Sequence, residues 1–416
     1  MVVLDMAAVI HFVKPQRAKV FGEYAQMQLM PYLSSQMTSN TTRVDAVWDT
    51  YRETSLKSQT RSKRGQGQRT RVSPKVPLPK GAEWQKFLKD GRNKEDLFQF
   101  LSGELQKCAS TPDTQFHLFT TKGELVLTNR QIEVSSLSPC QQEEADTRMM
   151  LHLYHAAQQG HTKAYLRTVD SDVVVLAINL FQKLGLTQLW IGFGHGKAYK
   201  DISIHSVVEM LDPQHIIALP FFHAITGCDV VSSLYGIGKK TAWSAWGALP
   251  QVTETFVALT QDPLSLTLES KHMQNLERWV VLMYCKNSNS NSLNEARKQM
   301  FTRGLKDLDS IPPTKHAFFQ HIKRTLLCVA FVWNKALLKT PEIPNPGDWG
   351  WRWNARTREW VPHWTDLPEV SQACSLLLNC GCTEACRGNC KCWGAQLHCT
   401  SLCKCGGGCT NSDNTV

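Results

Sequence analysis

The sequence predicts an α/β fold with a parallel sheet flanked by helices, and three observations carry that reading. Between Glu143 and about residue 250, apolar runs of strand length alternate with longer runs of helical period. Glycines punctuate the pattern, at Gly160 and Gly185. Acidic residues sit at the ends of the strand-like runs, where open α/β sheets place their ligands. Strands alternating with helices favour parallel pairing through crossover helices.

Taken in order, Val2–Leu4 reads as a first strand, and with only four residues ahead of Asp5 it should be very short. A helical stretch and a second strand, Val44–Trp48, follow. Residues 83–107 read as a helix, with Trp84, Phe87, Leu88, Leu97, Phe98 and Leu101 on its apolar face. Glu143–Gln159 reads as a helix stopped by Gly160, Ala164–Val169 as a strand, Val173–Leu184 as a helix stopped by Gly185, and Gln188–Phe193 as a strand. Residues 251–340 look mostly helical. After the break at Pro341–Pro346, five tryptophans fall within 16 residues, a stretch suited either to stacking bases or to packing as a small hairpin. The expected organisation is a catalytic-type domain over 1–250 with a basic segment at 54–107, a helical extension with a tryptophan-rich linker over 251–370, and a cysteine-rich module over 374–411.

Composition bounds the function classes. The chain of 416 residues is 42% hydrophobic and 20% charged, enough for a sizeable core. No apolar stretch approaches the ~20 residues that span a bilayer. The apolar opening contains Asp5 and lacks a basic leader, so an intracellular, reducing location and no membrane partner are expected. A formal net charge of +10 favours a polyanionic partner. From Thr54 to Ala82 there are eight basic residues and no acid, a run that suits a solvated linker, a nuclear import signal at Arg61–Arg71, or an arch over DNA.

Ten of the 15 cysteines lie in the last 43 residues. Nine form one run: Cys380, Cys382, Cys386, Cys390, Cys392, Cys399, Cys403, Cys405 and Cys409. Neighbouring Cys-x-Cys side chains rarely bridge each other but can share a metal, and clustered cysteines in a reducing compartment bind zinc more often than they form disulfides. Three tetrahedral Zn²⁺ ions call for about twelve contacts, which nine thiolates supply if three bridge. The core charge of about −3 would be offset by Arg387, Lys391 and Lys404. So short a segment has no apolar core, so metal must drive its folding. Cys374 stands outside the pattern, and Cys108, Cys140, Cys228, Cys285 and Cys328 are scattered residues expected to be buried.

The acids form a second constellation. Asp5 and Asp49 end the first two strands; Glu143, Glu144 and Asp146 open a helix; Asp170 and Asp172 follow a strand as Val-Asp-Ser-Asp; Asp229 follows Thr-Gly-Cys. Any one of them could be a helix cap or a solvated loop acid, Asp172 before Val173 included. Together they suit two hard divalent ions, Mg²⁺ or Mn²⁺, clamping a phosphodiester. The run Gly236-Ile-Gly238-Lys239-Lys240-Thr241 places two glycines at a turn opening a helix, where backbone N–H groups can meet a DNA phosphate. It is not a phosphate-binding P-loop, because Lys240 interrupts the required Gly-Lys-Ser/Thr, and a plain structural turn is the competing reading. The Gly192–Lys197 run reads as a strand-end loop.

These residues resemble the flap endonuclease family, whose fold is PIN-like. Asp5, Asp49, Glu144, Asp170-Ser-Asp172 and Gly227-Cys-Asp229 occur in that family's order, and Gly236–Ala242 resembles its glycine hairpin. The resemblance implies a structure-specific DNA nuclease acting on branched or flapped DNA, with Lys57 and Arg64 as the basic pair that steadies the scissile phosphate. The family carries Glu-x-Glu on its mid-chain helix; here Gln142-Glu-Glu-Ala-Asp146 leaves open whether Glu144 pairs with Asp146 or Glu143 replaces one member. The cysteine run resembles the CXC domain of the tesmin/TSO1 family, which implies a nuclear DNA tether; a purely structural knot or a protein-interaction module are the alternatives. The combination resembles a group of transposon-associated animal proteins. The rival function is a catalytically inactive, transposon-derived DNA-binding protein. A zinc store fits poorly with a large α/β domain.

Overall fold

The structure, a computed structural model, describes residues 1–52, 54–57, 68–111, 114–302, 310–367, 379–383, 385–394 and 397–411. Arg64, Cys374 and the residues Arg61 and Lys63 of the basic run lie outside them. The chain divides into two compact units, Met1–His363 and Trp364–Val416. The helices beyond residue 251 and the tryptophan-rich stretch as far as His363 therefore belong to the same unit as the sheet.

Seven strands build the sheet: β1 (Val2–Asp5), β2 (Arg43–Val47), β3 (His117–Lys122), β4 (Leu125–Thr128), β5 (Lys163–Thr168), β6 (Gln188–Phe193) and β7 (Lys200–Ser203). Their order is β4-β3-β2-β1-β5-β6-β7. The five inner strands run parallel, and the two outer ones are antiparallel edges. Strand β1 lies at the centre, with Val2 opposite both Val44 and Tyr165. Every residue of β1 and β2 is buried, as expected of parallel strands covered on both faces. The α/β parallel-sheet expectation holds. The apolar pattern gives no expectation for β3, β4 or β7, because these strands carry polar residues and pair at the sheet margins.

Period-two alternation sorts the core into two layers. Val3, Val47, Leu166 and Ile191 pack with the helices Ala145–Gln158, Ser171–Leu184 and Ile204–Met210. Val2, Leu4, Val44, Ala46 and Leu118 face the other way, toward Met6–Phe12 and Gly91–Ala109. A third cluster joins Pro213–Ile225 to the helices that follow it, Lys239–Gly247 among them, and to Trp349 and Trp351.

Several expected elements are redrawn. Residues 83–107 form two helices, Ala82–Phe87 and Gly91–Ala109, because Asp90 caps the second, accepting from the Arg92 N–H at 2.9 Å. The Pro74–Leu78 part of the basic run is pinned in place: Phe21 N–H donates to Val76 O at 3.2 Å and Leu78 N–H to Lys19 O at 2.9 Å. The tryptophans do form a hairpin, β8 (Trp351–Asn354) with β9 (Glu359–Pro362), in which Trp353 faces Trp360 with ring centroids 5.4 Å apart. Of the scattered cysteines, Cys140 and Cys328 are buried but Cys108, Cys228 and Cys285 are only half-buried. No described helix is long and apolar enough to cross a membrane.

Candidate metal centres

Strand β1 has β2 on one side and β5 on the other, so chain connections leave it in opposite directions and open a crevice beyond the carboxyl ends of the strands. Asp5 ends β1, Asp49 follows β2 and Asp170 follows β5. With Glu144, Asp146 and Asp229 they line a cleft of about 580 Å³.

Backbone N–H groups hold Asp5, Asp49 and Asp170. Asp5 caps Met6–Phe12: Oδ1 accepts from the Ala8 N–H at 3.0 Å, and Oδ2 accepts from the Thr168 hydroxyl at 2.8 Å. Asp49 Oδ1 accepts from the Ala145 N–H at 2.9 Å, tying the end of β2 to the start of Ala145–Gln158. Asp170 caps Ser171–Leu184 through the Asp172 N–H at 2.8 Å, while its own N–H donates to Thr168 Oγ1 at 3.1 Å. Asp229 follows a turn that only glycine allows: Gly227 has φ +111°, and a Cβ there would lie 2.9 Å from Ser233 Cβ. Helix cap and cleft acid are thus the same residue at Asp5 and Asp170; the capping bonds fix the side chains that line the cleft.

Two acids depart from expectation. Asp172 does not line the cleft; at the second position of its helix it is buried, and its Oδ1 pairs with His223 Nε2 at 2.8 Å beside a neighbouring chamber. The cap of that helix is Asp170 instead. Of these three acids, Glu143 lines that chamber only, whereas Glu144 and Asp146 line the cleft as well.

Lys57 reaches into the acids. Its ammonium bonds Asp229 Oδ2 at 2.9 Å and also pairs with the Glu144 carboxylate. Burial works to lower its pKa, but Glu144, Asp146 and Asp229 outweigh it and hold the group firmly charged. Burial, followed by the charge of Asp49, pushes the Asp5 carboxyl up to about 6. Burial and the charge of Asp170 push Asp146 well above the carboxylate range. Asp170 is raised in turn by burial and Asp172. Lys89, Lys94, Gln85, His11 and Tyr51 line the same cleft. Sequence spacing gave no signal for them, since they come from three helices and two loops.

The glycine run is only partly available to a ligand. Gly236 (φ +72°), Gly238 and Lys240 are exposed and Thr241 is half-buried. Lys239 is a correction: its ammonium turns back on the carboxyl end of Pro213–Ile225, donating to His223 O at 2.6 Å, Thr226 Oγ1 at 2.9 Å and Gly227 O at 2.8 Å. It satisfies carbonyls that a helix end leaves open, so it serves the fold.

In the second unit, seven of the nine cysteines are buried and Cys382 and Cys405 are half-buried. Sulfur pairs stand at 3.8 Å (Cys380–Cys386 and Cys380–Cys399) and 3.6 Å (Cys392–Cys403). That is far longer than a disulfide and close to the ~3.8 Å edge of a tetrahedron with Zn–S bonds of about 2.3 Å. Three overlapping quartets have all their ligand atoms within 4.8 Å of one another: Cys380, Cys399, Cys403 and Cys405; Cys380, Cys386, Cys390 and Cys399; Cys386, Cys399, Cys405 and Cys409. The cluster could hold metal, and the overlap is what bridging thiolates require. Cys382 and Cys392 fall outside these quartets. Among the described residues the cleft carboxylates form no group that tight. Their hard oxygen donors suit Mg²⁺ or Mn²⁺, ions that keep several waters and need fewer direct protein ligands.

No protein-family model matches the chain, and no curated protein matches it in sequence. Among solved structures it is similar to the bacteriophage T5 flap endonuclease in a pseudo-enzyme–product complex with DNA and metal ions, at 16% identity and a TM-score of 0.34, covering 78% of this chain and 98% of that one. It is similar also to a T5 protein co-crystallised with metal ions, at 15% identity, a TM-score of 0.34 and the same coverage.

Proposed function

We propose that this protein is a metal-dependent DNA nuclease that hydrolyses phosphodiester bonds in branched or flapped DNA, with a zinc-binding tail that tethers it to DNA in the nucleus. The observation that carries the reading is the convergence of six carboxylates from five separated stretches of chain on one crevice beyond the sheet. Crowding one buried and five half-buried acids into one cleft is costly without cations. Divalent ions bound there would activate water and neutralise charge on the leaving oxygen.

The chain's own residues divide the work. Asp5, Asp49, Asp146 and Asp170 form the floor, with Asp5 and Asp170 oriented by the Thr168 hydroxyl. Glu144 and Asp229 pair with Lys57 and would be able to hold a cation, which would leave the ammonium available to a phosphate. Asp172, held by His223, acts from behind as a positioning residue. Gly236, Gly238, Lys240 and Thr241 offer backbone N–H groups and one exposed cation to a DNA backbone. In the tail, nine thiolates holding about three zinc ions supply the fold on which Arg387, Lys391 and Lys404 meet phosphate.

The test is cleavage of a 5′-flap duplex by purified protein in Mg²⁺ or Mn²⁺. Cutting is expected, and Asp170→Ala should abolish it; equal cutting by the variant rejects the reading. One observation favours a second reading, an inactive DNA-binding protein: Lys57 already pairs with both Glu144 and Asp229. Calorimetric titration with Mn²⁺ separates the two, because the inactive protein would take up no ion at the acids.

A further inference from the structure

The hairpin of β8 and β9 is clamped at its root and bare at its tip. At the root, Arg324 Nη1 donates to Gly350 O at 3.0 Å and to His363 O at 2.7 Å, and the His363 N–H donates to Gly350 O at 2.9 Å. Gly350 takes φ +80°, and a Cβ there would lie 2.5 Å from Gln320 O, so the ribbon leaves the helix Lys315–Leu326 in close backbone contact. Trp349 and Trp351 are buried in the third core cluster. Toward the tip burial runs out: Trp360 is half-buried and Trp353 is 39% exposed. Side chains alternate across a strand and face their cross-strand partners, so Trp353 and Trp360 share a face with Trp351. Arg352 and Glu359 lie on the other face.

The turn over residues 355–358 joins the two strands. Asn354 Oδ1 holds it, accepting from the Arg356 N–H at 3.0 Å and the Thr357 N–H at 3.3 Å. It closes on a left-handed position, which glycine or asparagine fills most readily. Here the residue is Arg358, at φ +55°, the one non-glycine residue with a positive φ among the described residues. Backbone strain of this kind clusters at ligand clamps and active sites. Arg356 and Arg358 are both exposed, and neither pairs with a carboxylate among the described residues. Arg43, Arg52 and Arg69, by contrast, each pair with an acid. From Gly350 to Pro362 the sequence has three arginines and one acid.

An exposed indole beside two unpaired cations sets two conditions on a partner. An apolar surface leaves the arginines unmatched. Duplex DNA offers phosphates but keeps its ring faces stacked inside. An unpaired strand offers both, flat bases along an anionic backbone. We propose that the Trp353 face and the tip of this ribbon form a docking surface for single-stranded DNA, with a base on the Trp353 indole and phosphates on Arg356 and Arg358. The inference rests on the nuclease reading only for the source of that strand, the unpaired arm of a flap. Arg352, on the far face with Glu359, takes no part.

The experiment follows binding of a fluorescein-labelled oligothymidylate to the full chain by fluorescence anisotropy, in Ca²⁺ and across a salt series. Trp353→Ala should weaken that binding about tenfold, the size of one base stack, and leave binding of a blunt duplex unchanged. Arg356→Gln combined with Arg358→Gln should lower the slope of log K against log salt by about 1.4, the share of two phosphates on a single strand. Arg358→Gly separates binding from folding. It relieves the left-handed position, so the thermal midpoint should hold or rise while oligonucleotide binding weakens. Arg352→Gln should bind as the parent does. Unchanged binding in Trp353→Ala and in the arginine pair overturns the ribbon, and flap cleavage in Mg²⁺ would still leave the nuclease standing. The expected losses without any cleavage keep the ribbon and remove the nuclease. Equal losses on duplex and single strand overturn the assignment to an unpaired strand, as does displacement of the oligonucleotide by polyglutamate at equal charge. Tighter binding of an oligouridylate RNA, lost in the same variants, overturns the assignment to DNA.

Discussion

The acid cleft and the cysteine tail are built in opposite ways. In the first unit a seven-stranded sheet is packed between two apolar layers, and acids as far apart as Asp5 and Asp229 are delivered to it by strand ends, helix caps and turns. In the second unit the cysteines themselves are the buried core, and among the described residues the one helix there is the short Lys391–Gly394. One scaffold positions its ligands; the other depends on its ligands for a scaffold. The difference teaches where each unit is vulnerable. Metal removal should leave the sheet folded and the tail without a fold.

The largest expected effect follows directly. Chelating zinc should unfold residues 379–411 while the α/β unit keeps its helical signal, measured by proteolysis with mass mapping alongside circular dichroism. Cooperative loss of both units would break the contrast. Next in size is Asp170→Ala. It should cut cleavage by more than the roughly 10- to 100-fold typical of outer-shell metal-site changes, while the thermal midpoint falls only by the loss of one helix cap. A matching collapse of stability would mean that Asp170 serves the fold alone.

Lys57→Met should strengthen Mn²⁺ binding, on the order of tenfold by calorimetry, because it removes the ammonium that competes for Glu144 and Asp229. Weaker binding would show that the lysine organises the acids. The smallest effect concerns pH. Arg43 donates to Asp45 from Nε and Nη2, each at 2.7 Å, and its Nη1 lies 2.8 Å from His155 Nδ1. Burial holds His155 down at about 4, with the Arg43 charge adding to it. Burial would raise Asp45, but Arg43 and His152 overcome it and hold it at about 2. Both folded values lie below the unfolded ones, so this stability is complete above about pH 6.5. It declines as pH falls through 4 as His155 protonates, and again toward 2 as Asp45 does. His155→Asn should flatten the pH 6.5-to-4 part of the melting-temperature profile measured in EDTA, where the tail's zinc cannot contribute. An unchanged profile would place the acid sensitivity elsewhere.

Much of the site was legible because it is written over short distances. The Cys-x-Cys rhythm, the acid at the end of each apolar run and the glycine before Asp229 are local signals, each reflecting a backbone or ligand constraint that spans a few residues. The same locality made the neighbours ambiguous. Asp170 and Asp172 are two residues apart, yet one caps a helix at the cleft and the other turns inward to His223. Glu143 and Glu144 are adjacent, and of the two Glu144 alone lines the cleft. Lys239 looks like a phosphate ligand until the carbonyls of the preceding helix are seen around it.

From the sequence alone came the α/β class, the positions of the acids and the metal chemistry of the tail, since each depends on periodicity or on spacing along the chain. Only the tertiary structure decided which acids share a crevice, that Lys57 sits among them, and that Asp172 turns away from them to His223. Those facts depend on strand order and on the direction of single side chains, and both are set by packing between residues that the chain keeps far apart.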